Sequence, residues 1–204
     1  MLGLATVFAF LGAILGVAMA ARGPDSRLEP IIQAPKPAVK ETGRATPRTQ
    51  PTARRHMPIP VRISIPAIGV NARVIRLGLN PDRTIEVPTN FADTGWFRPG
   101  PEPGERGAAV ILGHLDSRRS GPAVFFRLGE LRAGDVIRVH LKDGSTVRFV
   151  AKSMLRVPKN RFPTKRVYAR TSQPTLRLVT CAGRLNASTG HHDDNYIVFA
   201  SIRR

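Results

Sequence analysis

A chain of 204 residues with a net charge of +18 has room for one packed domain, a linker and an apolar terminal segment, but hardly for two full domains. An apolar share of 42% supplies a real core, while 18 glycines and 18 prolines favour many turns and short strands. The charge calls for polyanionic surroundings, yet only 6% of residues are aromatic and none interleave with Lys or Arg as a stacking platform, so nucleic acid is not the expected partner.

Residues 1–21 carry no charge and are rich in Leu, Ala, Val, Phe and Gly. A helix needs about 20 such residues to cross a bilayer. The segment therefore reads as a transmembrane signal anchor, or as a signal peptide cut after Ala18-Met19-Ala20, and both readings stay open. The positive charges follow it instead of preceding it, against the pattern that the positive-inside rule sets for export. Residues 22–58 hold Pro24, Pro30, Pro35, Pro37, Pro47, Pro51 and Pro58 among scattered basic residues, the composition of an extended basic linker.

The folded domain is expected over 59–204. Strands are predicted at 61–66, 71–79 and 84–88 from their alternation. Residues 93–107, rich in Gly and Pro, read as a loop whose Trp96 and Phe97 cover one side of the core. Residues 108–114 form a central strand, apolar on both faces, that ends on Gly113 and His114. A short helical turn is expected over 125–131. Strands at 136–141 and 146–155 flank Lys142-Asp143-Gly144, a strong hairpin signal. A basic loop at 159–169 and strands at 176–181 and 196–202 complete the chain. Eight or nine short strands with little helix predict a closed or nearly closed β-barrel.

Cys181 is the only cysteine, which excludes an intramolecular disulfide. It ends a period-two strand and is followed by the small residues Ala182 and Gly183, a placement suited to facing a groove. The bland alternative is a small buried apolar side chain. A thiol attacks a carbonyl only as thiolate, so an imidazole partner is needed. Of the five histidines, His56 lies in the linker, His140 in a charged strand, and His191 and His192 in the last loop. His114, at the end of an apolar strand, is the preferred partner of Cys181, against the reading of a hydrogen-bonded structural histidine. Asp116 and Ser117 read as turn formers.

Three blocks in order, G-H-L-D-S with R-R-S-G-P-A-V-F-F-R-L-G-E-L after it, T-L-R-L-V-T-C-A-G, and T-G-H-H-D-D-N-Y-I-V-F-A, make the domain resemble the sortases, most closely those of class F from actinobacteria. The resemblance implies a closed eight-stranded β-barrel with short helices, preceded by a hydrophobic helix and a Pro-rich linker. It implies a cysteine transpeptidase that cleaves an L-P-x-T-G-type sorting signal and passes the acyl group to an amine of a cell-wall precursor; no cofactor is expected. His114 then matches the family histidine and Cys181 the nucleophile, in a single-pass membrane protein with its catalytic domain outside the cell. One departure stands out. Asp193 occupies the place of the family arginine, which holds substrate and stabilises the oxyanion. Arg184 is the nearest substitute in sequence, with Arg161 and Arg166 as others. The His191, His192, Asp193, Asp194 run is not expected to gather round one ion, since adjacent loop residues seldom do.

Two other readings follow from the same residues. One is an impaired sortase-fold protein that binds sorting signals or anionic wall polymers without turnover. The other is a different exported cysteine enzyme such as an L,D-transpeptidase, although that family resembles S-H-G-C where T-C-A-G is found here. Papain-like proteases run Cys before His, the reverse of the order in this chain.

Overall fold

The computed structural model describes residues 56–117, 121–186 and 191–203. Its strands are β1 (Pro60–Ile65), β2 (Val70–Leu77), β3 (Thr94–Phe97), β4 (Gly107–Gly113), β5 (Asp116–Ser117), β6 (Gly121–Pro122), β7 (Val136–Leu141), β8 (Thr146–Pro158), β9 (Pro174–Leu185) and β10 (His192–Ile202). Eight of them close a barrel in the order β1-β2-β3-β4-β9-β10-β8-β7, and β5 with β6 makes a separate two-stranded hairpin. The pairs β2/β3 and β4/β9 are parallel. The closed eight-stranded barrel expected from the sequence is the fold observed.

Alternation along the strands builds two cores. Val70, Ala72, Val74, Ala109, Ile111, Leu176, Leu178 and Val198 point inward and fill the barrel. Leu77, Val110, Leu112, Val179, Ile197 and Phe199 point outward and form a second cluster with Ile85 and Val167. The wall made by β4, β9 and β10 is therefore buried on both faces, which is why its strands read as continuous apolar runs. Its outer cover comes from Ile85 and Val87 after β2, and from Phe162, Val167 and Tyr168 around the four-residue helix α1 (Thr164–Val167).

Two expectations about strands change places. Residues 84–88 contribute only the isolated bridge of Ile85 to Leu79, because Asn80 turns the chain back at once through its bonds to Thr84. Residues 94–97, read as loop, form β3, and Trp96 and Phe97 are buried in the wall instead of covering it. The parallel partner of β3 lies twenty residues back in β2, out of reach of a local pattern. Gly95 makes this approach feasible, since a Cβ there would overlap Leu77. The hairpin at Lys142-Asp143-Gly144 forms as expected, with Gly144 at φ +84° and its N–H donating to the Leu141 carbonyl at 3.0 Å.

The single-pass membrane location needs correction. Among the described residues no helix is long and apolar enough to cross a membrane. The only α-helix among them spans four residues, against the roughly 20 that a bilayer requires. Residues 1–21, on which the transmembrane expectation rested, lie outside the described residues, as does most of the 22–58 linker.

Candidate active site

His114 follows directly on β4, and Gly113 makes its position tight. A Cβ on Gly113 would stand 2.6 Å from the Phe125 ring and 2.8 Å from Val124. The imidazole is buried, lies against the Phe91 ring at 4.3 Å between centroids, and places Nε2 2.7 Å from the Pro88 carbonyl oxygen. A carbonyl only accepts, so Nε2 carries the hydrogen and Nδ1 keeps its lone pair. Burial pushes the His114 pKa below its ordinary value; the Pro88 carbonyl and the Asp116 charge act the other way without reversing it. The ring is thus neutral at pH 7, with Nδ1 as its basic nitrogen.

Cys181 lies half-buried in β9, on the outer face that carries Val179. The parallel pairing of β4 and β9 runs from Gly107 opposite Pro174 to Leu112 opposite Val179. His114 lies two residues past the last of these pairs, as Cys181 does on β9. On the other side of β9, Cys181 pairs directly with Asn195 of β10. The residue that follows β4 and the paired residues Cys181 of β9 and Asn195 of β10 thus make one row at the ends of three adjacent strands.

Asn195 is the member of this row that sequence reasoning missed. It is 1% exposed, and neither its Oδ1 nor its Nδ2 has a hydrogen-bond partner. A buried donor or acceptor left unpaired costs about 1–3 kcal/mol. Its neighbours along the face, Ile197 and Phe199, are apolar, so an aliphatic side chain would fill the place without that cost. A polar residue at a buried strand position was the one available sequence signal.

Just beyond the row, two ties join the strand ends. His192 places Nδ1 3.1 Å from the Gly183 carbonyl, two residues past Cys181, and Nε2 3.0 and 3.1 Å from the two carboxylate oxygens of Asp116, two residues past His114. The turn residue of the sequence reading is thus one half of a clamp. Arg156 of β8 donates from Nε to Asp194 at 2.7 Å. This pair packs so closely on Gly183 (φ +86°) that a Cβ there would lie 2.9 Å from the carboxylate. His192 and Asp194 are therefore engaged with separate partners. The described side chains whose ligand atoms do converge are His56, Glu102 and Glu105, away from this row.

The arginines considered for the missing cation do not enter the row. Arg184 is exposed three residues past Cys181, and Arg161 is exposed in the connection after β8. Arg166 is exposed and stacks on Phe199 at 4.4 Å. Arg177, not among the candidates from the sequence, is buried with its guanidinium over the same ring at 4.7 Å, four residues before Cys181. Burial, and then the Arg166 charge, bring the Arg177 pKa down to about 10. Asp193 is exposed at a bulge where the β9/β10 register shifts. Beside Asp116 a recess of about 210 Å³ opens between the β5–β6 hairpin and Leu185, with Phe126 on its wall.

Residues 63–203 match the model of the sortase domain. The chain belongs to the sortase family. Solved sortases of several kinds share the barrel at low identity. A lid mutant of sortase A from Corynebacterium diphtheriae is similar over 75% of this chain and 74% of its own, at 19% identity and a TM-score of 0.56. Sortase C-1 from Actinomyces oris is similar over 71% of this chain and 75% of its own, at 21% identity and 0.57. A sortase D5 transpeptidase from Clostridium perfringens is similar over 71% and 79%, at 23% identity and 0.53. Comparison of the sequence with curated proteins finds no match. Membership in the family places this sortase-fold chain among enzymes of the transpeptidase or cysteine-protease kind.

Proposed function

We propose that this sortase is a cysteine transpeptidase of the class F type, with Cys181 as nucleophile and His114 as its acid and base. The observation that supports the reading is the common row: His114, whose Nδ1 keeps its lone pair, and the sole cysteine each lie two residues past the last pair of the parallel strands β4 and β9. The substrate is a sorting signal of the L-P-x-T-G type, as the resemblance of the G-H-L-D-S and T-L-R-L-V-T-C-A-G blocks implies.

In the first half-reaction the Cys181 proton passes to His114 Nδ1 and the thiolate adds to the threonine carbonyl. The tetrahedral intermediate collapses as the carbon–nitrogen bond to glycine breaks, and His114 returns the proton to the departing amine. A thioester remains on Cys181. In the second half, His114 takes a proton from an incoming wall-precursor amine as that amine attacks. The new amide leaves and the thiolate recovers the proton.

One observation favours a second reading. Among the described residues no guanidinium shares the row with Cys181, so a sortase-fold protein that binds sorting signals without turnover fits the loss of the family arginine. Incubation with an L-P-x-T-G peptide and a primary amine separates the two. The transpeptidase reading expects an amide between peptide and amine with wild-type protein and none with Cys181→Ala; peptide binding without product from wild type supports the second reading and overturns the first.

A further inference from the structure

The oxyanion formed on the substrate carbonyl needs a hydrogen-bond donor within reach of the Cys181 sulfur. Among the described arginines, Arg156 is held by Asp194, Arg166 and Arg177 both lie over the Phe199 ring, and Arg184 is exposed beyond the row. Asn195 stands directly opposite Cys181, with its side chain on the same face and its amide unpaired. Opposite residues of an antiparallel pair hold their Cβ atoms about 4.5–5.5 Å apart, so the amide reaches the space beside the sulfur where a carbonyl carbon would be attacked. We propose that Asn195 is a catalytic residue of this enzyme, donating from Nδ2 to the oxyanion in place of the family arginine.

The assignment rests on the transpeptidase reading and adds to it the donor that the reading lacks. It also accounts for an otherwise disfavoured feature. A bound peptide supplies partners for both orphaned atoms: its carbonyl oxygen accepts from Nδ2, and a backbone N–H donates to Oδ1. The surrounding face has no need of an amide, since Val157, Val179 and Ile197 around it are aliphatic. An uncharged donor has a further consequence. An amide keeps its hydrogens at every pH at which the thiol and imidazole work.

Two reactions of one sulfur provide the test. Acylation by an L-P-x-T-G peptide passes through an oxyanion; alkylation by iodoacetamide displaces iodide at a saturated carbon and forms none. Asn195→Val and Asn195→Ala are compared with wild type in both, with melting temperature measured alongside. The expected result is that thioester formation falls about 100- to 1000-fold in each variant, while alkylation stays within threefold of wild type. The valine variant is expected to melt no lower than wild type, because it removes the unpaired amide. Acylation unchanged in the valine variant, or alkylation falling in step with acylation, overturns the assignment and leaves the transpeptidase reading in place. A wild-type protein that is alkylated but never acylated overturns both.

Discussion

At His114 three groups act on one ring: the protein body that buries it, the Pro88 carbonyl on Nε2, and the Asp116 charge nearby. The net shift is downward from 6.5. A folded state that disfavours the imidazolium binds fewer protons than the unfolded chain, so the His114 contribution is fully present above about pH 6.5 and is lost as pH falls toward the lowered folded value. Wild type is therefore expected to lose stability over that window relative to His114→Gln, a difference that urea titrations at pH 5 and 7.5 will read. The same shift keeps the base unprotonated in mild acid, so the acid limb of kcat/KM is expected below pH 6.5. Replacing His114 by alanine removes the proton carrier and is expected to cost about 10²- to 10⁴-fold in turnover. The Cys181 and His114 candidates were legible because each is a reactive side chain at the end of an apolar run. Asn195 was not, since an asparagine near a strand start looks like a turn former until its burial and missing partners are known.

At the scale of elements, the site depends on how the ends of β4, β9 and β10 are held together. His192 does this from the first residue of β10, bonding to the segment behind each of the two candidate residues. His192→Ala removes these bonds, and Asp116 is exposed enough for water to take over its part, so the expected loss of stability is about 1 kcal/mol. The larger effect is expected on turnover, seen as a drop in kcat with the alkylation rate of Cys181 unchanged. Tight contacts around Gly113 make a second element-level prediction. Gly113→Ala drives a methyl into Phe125 and Val124, and is expected to lower stability by about 1–3 kcal/mol in chemical denaturation. Alternation revealed β1, β2, β7 and β8, where one face is wet or the hairpin signal is local. It failed at β3, a four-residue strand with every residue buried, whose sequence next to Gly and Pro looks like loop until β2 lies beside it.

Across the whole molecule, barrel closure was legible as a number of strands and not as an order. The closing pair β1/β7 and the parallel pair β4/β9 join segments far apart in the chain, and no local pattern carries that information. Yet it is this long-range pairing that joins the strands leading to the two candidate residues, His114 and Cys181, from opposite halves of the domain. The most direct measurement is the mass of the intact protein after brief exposure to an L-P-x-T-G peptide, for wild type, Cys181→Ala and His114→Ala. The account predicts an acyl adduct on wild type that hydroxylamine releases, none on the cysteine variant, and adduct formation at least a hundredfold slower on the histidine variant. An adduct that forms equally fast without His114, or no adduct on wild type, would contradict it.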